Sequence, residues 1–474
     1  MKSGFETEVA IIGAGTAGLY ALREVRRARR DFVLIDGGPL GTTCARVGCM
    51  PSKIALHAGA LWAARADMAH MGVKGIDALT LDIAETWSAL RTQRDHFSGN
   101  TADKTRSAAG DRLIEGRARF IEPTVLQVDT PEGTRIVRAR AVVIATGSRP
   151  VMPGWLEPLA SRAVSTDDLF ELPTLPPRIG VLGLGAIGLE MGLALSRLGI
   201  EVVAVDVAHT VAGLTDPELS SRSIDRFGRE MTMWLGAAAS VAPAGDGVLL
   251  RSGERETKVD LLLAAMGRRA NTDALGLAEA GFSMGARGEP LFDAATMQLG
   301  EHPVFIAGDA NALRPLMHEA ADEGAIAGYN AARGLATRFR RRVSLGVAFS
   351  DPDVCAVGAR FDELDPDAVL IGTATGEANG RSRILGGEAS LLRVYADRMD
   401  GRLLGAAMMA TGGEHLAHLL AWAIQRGETV HSLLAMPFYH PVIEEMLQSA
   451  LQDMARHVER DTPVPLGLMT EPGA

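Results

Sequence analysis

Two copies of a strand, glycine turn, helix, strand and acid, followed by a change of texture near Arg342, predict an α/β chain. The two copies make two Rossmann-like dinucleotide-binding domains, and the last segment makes a C-terminal α+β domain. A length of 474 residues agrees with about three domains of roughly 150 residues each. In the first copy an apolar run over residues 8–12 leads into Gly13-Ala14-Gly15-Thr16-Ala17-Gly18. A helical stretch follows, and a second apolar run over residues 32–35 ends on Asp36. Gly13 allows the tight turn, Gly15 lets the backbone approach a pyrophosphate, and Gly18 lets the helix pack on the strand. The helix start then turns unpaired amides toward phosphates, and Asp36 is placed to accept hydrogen bonds from a ribose diol.

The second copy runs from residues 179–182 through Gly183-Leu184-Gly185-Ala186-Ile187-Gly188 to an apolar run over 202–205 that ends on Asp206. Asp36 and Asp206 each lie 23 residues beyond the first glycine of their copy. One glycine triplet is weak, because ordinary turns produce it. Two at equal spacing, each in full strand–helix–strand context, predict two dinucleotide sites. Asp206 favours a free ribose 2′-hydroxyl and repels a 2′-phosphate, and residues 207–214 hold no arginine, so NAD is expected over NADP.

Other strand ends fit the plan. Residues 141–147 close on Gly147, residues 261–267 on Gly267, and residues 303–309 on Gly308-Asp309. Open α/β sheets place ligands at such carboxyl ends. The proline-rich stretch 172–177 reads as a linker into the second nucleotide domain. From Arg342 onward, strand-like runs such as 390–395 precede amphipathic helices around 415–425 and 443–457, which predicts the third domain. The tail from Asp461, with three prolines, is expected to be loose.

Composition narrows the function classes. A net charge of −10 argues against nucleic acid and against an anionic membrane surface as partners. No segment is long and apolar enough to span a bilayer, and the first eight residues carry acids where a secretory signal would carry an apolar core. A cytoplasmic location is the expectation. Three cysteines give no disulfide framework and no zinc spacing, so no metal is expected.

Two of those three cysteines lie in Gly41-Thr42-Thr43-Cys44-Ala45-Arg46-Val47-Gly48-Cys49-Met50-Pro51-Ser52-Lys53, just after the first fingerprint. A dithiol beside a bound cofactor reads as a redox couple. In an unbroken helix, rising ~1.5 Å and turning ~100° per residue, positions five apart face different ways. Their α-carbons would be near or beyond the disulfide limit of ~7 Å. The helix therefore begins after the pair or is distorted through it. Pro51 suits a first helical turn, and residues 54–66 continue as helix. Cys49 then sits near a helix N-terminus with Lys53 close by, and both favour a thiolate.

On these residues the chain resembles the flavin-dependent pyridine-nucleotide disulfide oxidoreductases, the group of dihydrolipoyl dehydrogenase, glutathione reductase and mercuric reductase. GTTCARVGCMPSK is similar to the active-site stretch of that family; IGAGTAG, VIATGS, GLGAIGLE, FIAGDA and FYHPVIEE match its other blocks in order, over roughly residues 6–457. The resemblance implies FAD on the first fingerprint and NAD on the second. It implies an FAD-binding domain over 1–149 and 270–341, an NAD-binding domain over 150–269, and a dimerisation domain over 342–474.

The same resemblance implies that Cys44 exchanges with the substrate sulfur while Cys49 sits against the flavin. Lys53 approaches the flavin and pairs with Glu190; His440 is the catalytic base, oriented by Glu445, and reaches the cysteines of the other subunit of a homodimer. Asp309 holds the ribityl–pyrophosphate region and Asp36 the adenosine ribose. Thr43, Ala118, Gly147 and Met317 fall at FAD contacts, and Val241 and Gly267 at NAD contacts, beside the glycines and Asp206. His318 is a flavin-site neighbour without an assigned role.

Within that family the expectation is an atypical dihydrolipoyl dehydrogenase that oxidises a lipoyl-bearing protein. No cysteine follows Cys355, which disfavours mercuric reductase; Asp206 disfavours the NADP-using glutathione reductases; and both redox cysteines are present, unlike in soluble transhydrogenases. Thr42 stands where the family usually has glycine, and Phe438-Tyr439 precede the histidine in place of smaller or more polar residues. Two alternatives stay open: an NADH-dependent reductase of another disulfide or a quinone, and a structural flavoprotein that docks a lipoyl carrier. Cys355 is expected to be a small buried hydrophobe, His57 and His70 to be helix-surface residues, and His415 with His418 to hold no metal.

Overall fold

The computed structural model describes residues 5–458 and Leu468; the proline-containing tail from Asp461 otherwise lies outside the described residues. The fingerprint glycines organise two layered units of the same design. In the first, Leu113–Glu115, Phe32–Asp36, Phe5–Ile12, the second half of Gly133–Ile144 and Val304–Ile306 form a parallel sheet. The first half of Gly133–Ile144 continues into an antiparallel meander with Val125–Thr130 and Arg117–Glu122. Helices Thr16–Arg27 and Met317–Arg333 cover the opposite face and pack closely against each other.

Burial on both faces explains the unbroken apolar runs of these strands. Ile11, Leu34 and Val143 face the helices, whereas Ala10, Val33, Ile35 and Ile144 face the meander.

The second unit repeats the plan. Its parallel sheet runs Thr232–Leu235, Glu201–Asp206, Arg178–Leu182, Leu261–Ala264, Ala163–Ser165, beside a meander of Ala239–Ala244, Gly247–Ser252 and Arg255–Val259. One expectation changes here. Stretch 172–177 does not lead into this unit, because Ala163–Ser165 upstream of it already pairs with residues 262–264. The prolines mark a break between helix Thr166–Leu169 and strand Arg178–Leu182, inside the second unit.

From residue 345 onward the chain forms a five-stranded antiparallel sheet, in the order Leu345–Ala348, Asp353–Gly358, Leu403–Ala410, Leu391–Asp397, Val369–Thr375. Helices Gly413–Arg426 and Glu445–Ala455 bury their apolar stripes on it. Both were expected; the short helix Val430–Leu434 between them was not. This domain is tied to the second unit by buried charge. Tyr395 donates its hydroxyl to Asp216 at 2.8 Å, and Arg393 pairs with the same carboxylate at 2.6 Å.

Candidate active site

The two glycine turns show which glycines the fold itself needs. A Cβ on Gly13 would lie 2.2 Å from the Ala145 carbonyl oxygen, and one on Gly18 would lie 1.9 Å from the Gly13 oxygen. In the second copy Gly183 and Gly188 are confined in the same way, at 2.5 and 1.8 Å from backbone oxygens. Gly15 and Gly185 are different: a Cβ there would meet nothing within 4 Å. The protein does not require those two glycines for its own packing, which fits a ligand backbone or phosphate approaching from the open side. Gly188→Ala is therefore expected to lower the melting temperature by at least about 4 °C. Gly185→Ala is expected to leave the ligand-free melting temperature within about 2 °C while weakening NAD binding, read by calorimetry.

The two acids are also held alike. Asp36 accepts from the Ala14 N–H at 2.6 Å and the Gly38 N–H at 2.7 Å. Asp206 accepts from the Leu184 N–H at 2.5 Å and the Ala208 N–H at 2.8 Å. Each carboxylate is fixed at its strand end by its own glycine loop.

The cysteine segment resolves the choice left by the sequence. A single helical turn, Thr43–Arg46, carries Cys44; the chain breaks at Val47 and Gly48; and a new helix, Cys49–Ala63, begins on the second cysteine. Gly48 permits the break, since a Cβ there would crowd the Thr43 oxygen at 3.1 Å and the Cys44 α-carbon at 3.3 Å. Both cysteines are free thiols, and both line the same cleft. Hydrogen bonding with the Cys44 side chain lowers the Cys49 thiol to about 7; burial opposes it, and the Lys53 charge one turn along the helix assists it. Cys44 moves the opposite way, raised by its bond to Cys49 and by burial.

Lys53 bonds both oxygens of Glu190, at 2.9 and 2.8 Å. Glu190 is buried and also accepts from the Phe349 N–H at 2.9 Å, while Lys53 lies over the Phe349 ring at 4.6 Å. Phe349, from the start of the third domain, thereby joins the pair.

A cleft of about 260 Å³ brings together Gly15, Thr43, Cys44, Cys49, Lys53, Gly147, Glu190, Asp309 and Met317. Among the wall residues that sequence reading missed are Ser148 and Arg268. The Ser148 hydroxyl donates to Asp309 at 2.6 Å and itself accepts from Arg268 Nε at 2.8 Å. Arg268 also reaches Asp167 at 3.4 Å. Both follow strand-end glycines, Gly147 and Gly267, which adopt φ of +68° and +94°; that position after the glycine was the available signal.

Other expected contact residues lie elsewhere. Ala118 sits in the first meander opposite Val128, and Val241 in the second opposite Leu250. His318 is exposed near the start of helix Met317–Arg333 and does not line the cleft. His440 and Glu445 form a pair, Nδ1 to Oε1 at 2.9 Å, with the other carboxylate oxygen accepting from the Val442 N–H at 3.1 Å. The imidazole and then that N–H hold the Glu445 carboxyl below its usual range. The His440 side chain is 80% exposed and is not on the cleft of its own chain.

Family models place the chain directly. The model described as pyridine nucleotide-disulphide oxidoreductase matches residues 7–324, and that of the dimerisation domain of the same family matches residues 345–451. The chain belongs to the pyridine nucleotide-disulphide oxidoreductase family. Enzymes of this family are flavoprotein disulfide oxidoreductases that use FAD and NAD, and the open glycine turns and the cleft fit such groups. Mitochondrial dihydrolipoyl dehydrogenase of Pisum sativum is 28% identical over 465 residues, covering 94% of this chain and 91% of the relative. LpdA of Mycobacterium tuberculosis superposes with a TM-score of 0.83 at 24% identity, covering 94% and 99% of the two chains. The HOCl-induced flavoprotein disulfide reductase RclA of Escherichia coli gives 0.81 at 21% identity, over 95% and 98%. The likeness to both structures is one of fold.

Among the described residues no helix is long and apolar enough to cross a membrane, and no group of three or more His, Cys, Asp and Glu could hold a metal ion. Cys355 is a buried core residue, and His57, His70, His415 and His418 are exposed.

Proposed function

We propose that the chain is a dihydrolipoyl dehydrogenase that oxidises a protein-bound dihydrolipoyl dithiol and reduces NAD, acting as a homodimer. The observation that carries this reading is the cysteine pair across a helix break, with its lowered thiol at a helix start beside the Lys53–Glu190 pair, on the cleft shared with Gly15 and Asp309. The names of the curated relatives support the substrate class.

A substrate thiol must be ionised before it attacks a disulfide. His440 of the partner subunit takes that proton, and Glu445 holds the imidazole in one tautomer and supports its charge. The substrate thiolate attacks Cys44 in the Cys44–Cys49 disulfide, and Cys49 leaves as a thiolate stabilised by Lys53 and the helix start. The second substrate thiol then displaces Cys44 and passes its proton through the imidazole to the leaving sulfur, so of the two substrate protons one rests on Cys44 and one on His440. Bound FAD and NAD supply the two-electron acceptance that returns the dithiol to disulfide. The balance is one dithiol and NAD giving one disulfide, NADH and a proton.

Dimer formation is supported by the dimerisation-domain match and by exposed apolar side chains on the third domain, Leu419, Trp422, Met436 and Tyr439. Asp206, fixed at its strand end, supports NAD over NADP. Steady-state turnover with dihydrolipoamide is expected with NAD and at least about tenfold weaker with NADP, as for one lost or repelled polar contact. Asp206→Ala should narrow that gap.

A second reading rests on Tyr439. Tyr439 is 80% exposed and directly precedes His440 in the chain, at a position where the family usually carries a smaller or more polar residue. It favours an NADH-dependent reductase of a different disulfide or of a quinone. A panel of disulfides and quinones with NADH separates the two: turnover only with these, and none with dihydrolipoamide, selects the second.

A further inference from the structure

Thr42 occupies a backbone conformation that side chains avoid. Its φ is +61° and ψ 146°, a region left almost wholly to glycine and least suited to a β-branched residue. The side chain gives something in return. Its Oγ1 accepts the Ala45 N–H at 3.2 Å, capping the one helical turn, Thr43–Arg46, that carries Cys44.

A four-residue helix does not hold itself together, because nucleation is unfavourable. This turn has only two helical hydrogen bonds of its own, Arg46 N–H to the Thr42 oxygen at 3.1 Å and Val47 N–H to the Thr43 oxygen at 3.0 Å. It is bounded by Gly41, at φ +119°, and by the break at Gly48. The threonine cap is thus a third bond in a segment short of bonds. Glycine at this position would relax the backbone and lose the cap.

We propose that Thr42 is a positioning residue for the redox pair: its hydroxyl pins the turn bearing Cys44 so that the Cys44 thiol stays aimed at the Cys49 sulfur. The inference rests on the reading of Cys44 and Cys49 as the redox couple. Cap and backbone act in opposite directions, so substitutions separate them. Ser keeps the hydroxyl. Ala removes the hydroxyl and keeps the strain. Gly removes both.

The test uses full-length, FAD-loaded protein with the pair reduced, as wild type and as Thr42→Ser, Thr42→Ala and Thr42→Gly. Alkylation of Cys44 and Cys49 by iodoacetamide is followed against pH by peptide mass spectrometry, and melting temperatures are measured alongside. Without the cap, the hydrogen bonding with Cys44 that stabilises the Cys49 thiolate weakens and ionisation of the pair moves to higher pH. Alkylation of Cys49 at pH 6 is expected to fall about tenfold in the Ala and Gly variants, as for one pH step in ionisation, and to match wild type in the Ser variant. The Gly variant is expected to melt at or above wild type and the Ala variant below it, so a loss of Cys49 alkylation common to both does not follow from stability. Wild-type titration in both the Ala and Gly variants, or a Ser variant shifted as far as Gly, overturns the proposal. Failure of the redox reading shows separately, as wild-type protein in which an oxidant leaves both thiols alkylatable.

Discussion

Cys49→Ser is expected to abolish dihydrolipoamide-dependent NAD reduction while leaving the fold intact. The substitution nearly conserves volume at a half-buried position, yet removes the sulfur that must leave Cys44 and carry the electron pair inward. A serine alkoxide cannot take that place, because its ionisation lies far above that of a thiol. The pH dependence follows from the same site. With Cys49 lowered to about 7, the thiolate is populated above that pH and is lost as pH falls through it. The long-wavelength absorbance of a thiolate against the flavin in reduced wild-type protein should therefore fade below about pH 7 and be missing from Cys49→Ser at every pH. Persistence of that band in the variant rules out Cys49 as the thiolate.

His440→Ala is expected to lower the dithiol half-reaction by about 10²–10⁴-fold, the range for loss of a general base. Flavin reduction by NADH, which needs no thiol deprotonation, should change little. Rapid-mixing measurement of the two half-reactions separates them. Glu445→Gln should give a smaller loss of the same kind, since it leaves the imidazole in place and removes the charge that supports its protonated form. Equal losses in both half-reactions for His440→Ala would assign the histidine a structural role.

What could be read from the sequence is what local backbone geometry demands. Gly13, Gly18, Gly183 and Gly188 are forced by carbonyl oxygens of neighbouring turns, and Asp36 and Asp206 sit where a strand of fixed length ends. The cysteine segment was legible as a departure from regular helix, but not as two helices meeting at Gly48, because either register satisfied the spacing. What escaped is long-range. Ser148 meets Asp309 across 161 positions, Arg268 meets Ser148 across 120, and the Phe349 amide meets Glu190 across 159. No periodicity or spacing encodes such contacts. The proline-rich stretch 172–177 misled for the same reason: composition marks a break in the chain, whereas sheet membership is decided by pairing with residues 262–264.

The central claim is that each site is shared, with the cysteines of one subunit served by the His440–Glu445 pair of the other. His440 is exposed and away from the cleft of its own chain, which fits the proposal that the base comes from the partner subunit. The direct measurement mixes Cys44→Ser with His440→Ala protein, each inactive alone, and isolates heterodimers by two different tags. A shared site leaves one intact site per heterodimer and predicts recovery to about half the wild-type turnover per dimer. Heterodimers as inactive as their parents would contradict the account, since the histidine would then act within its own chain.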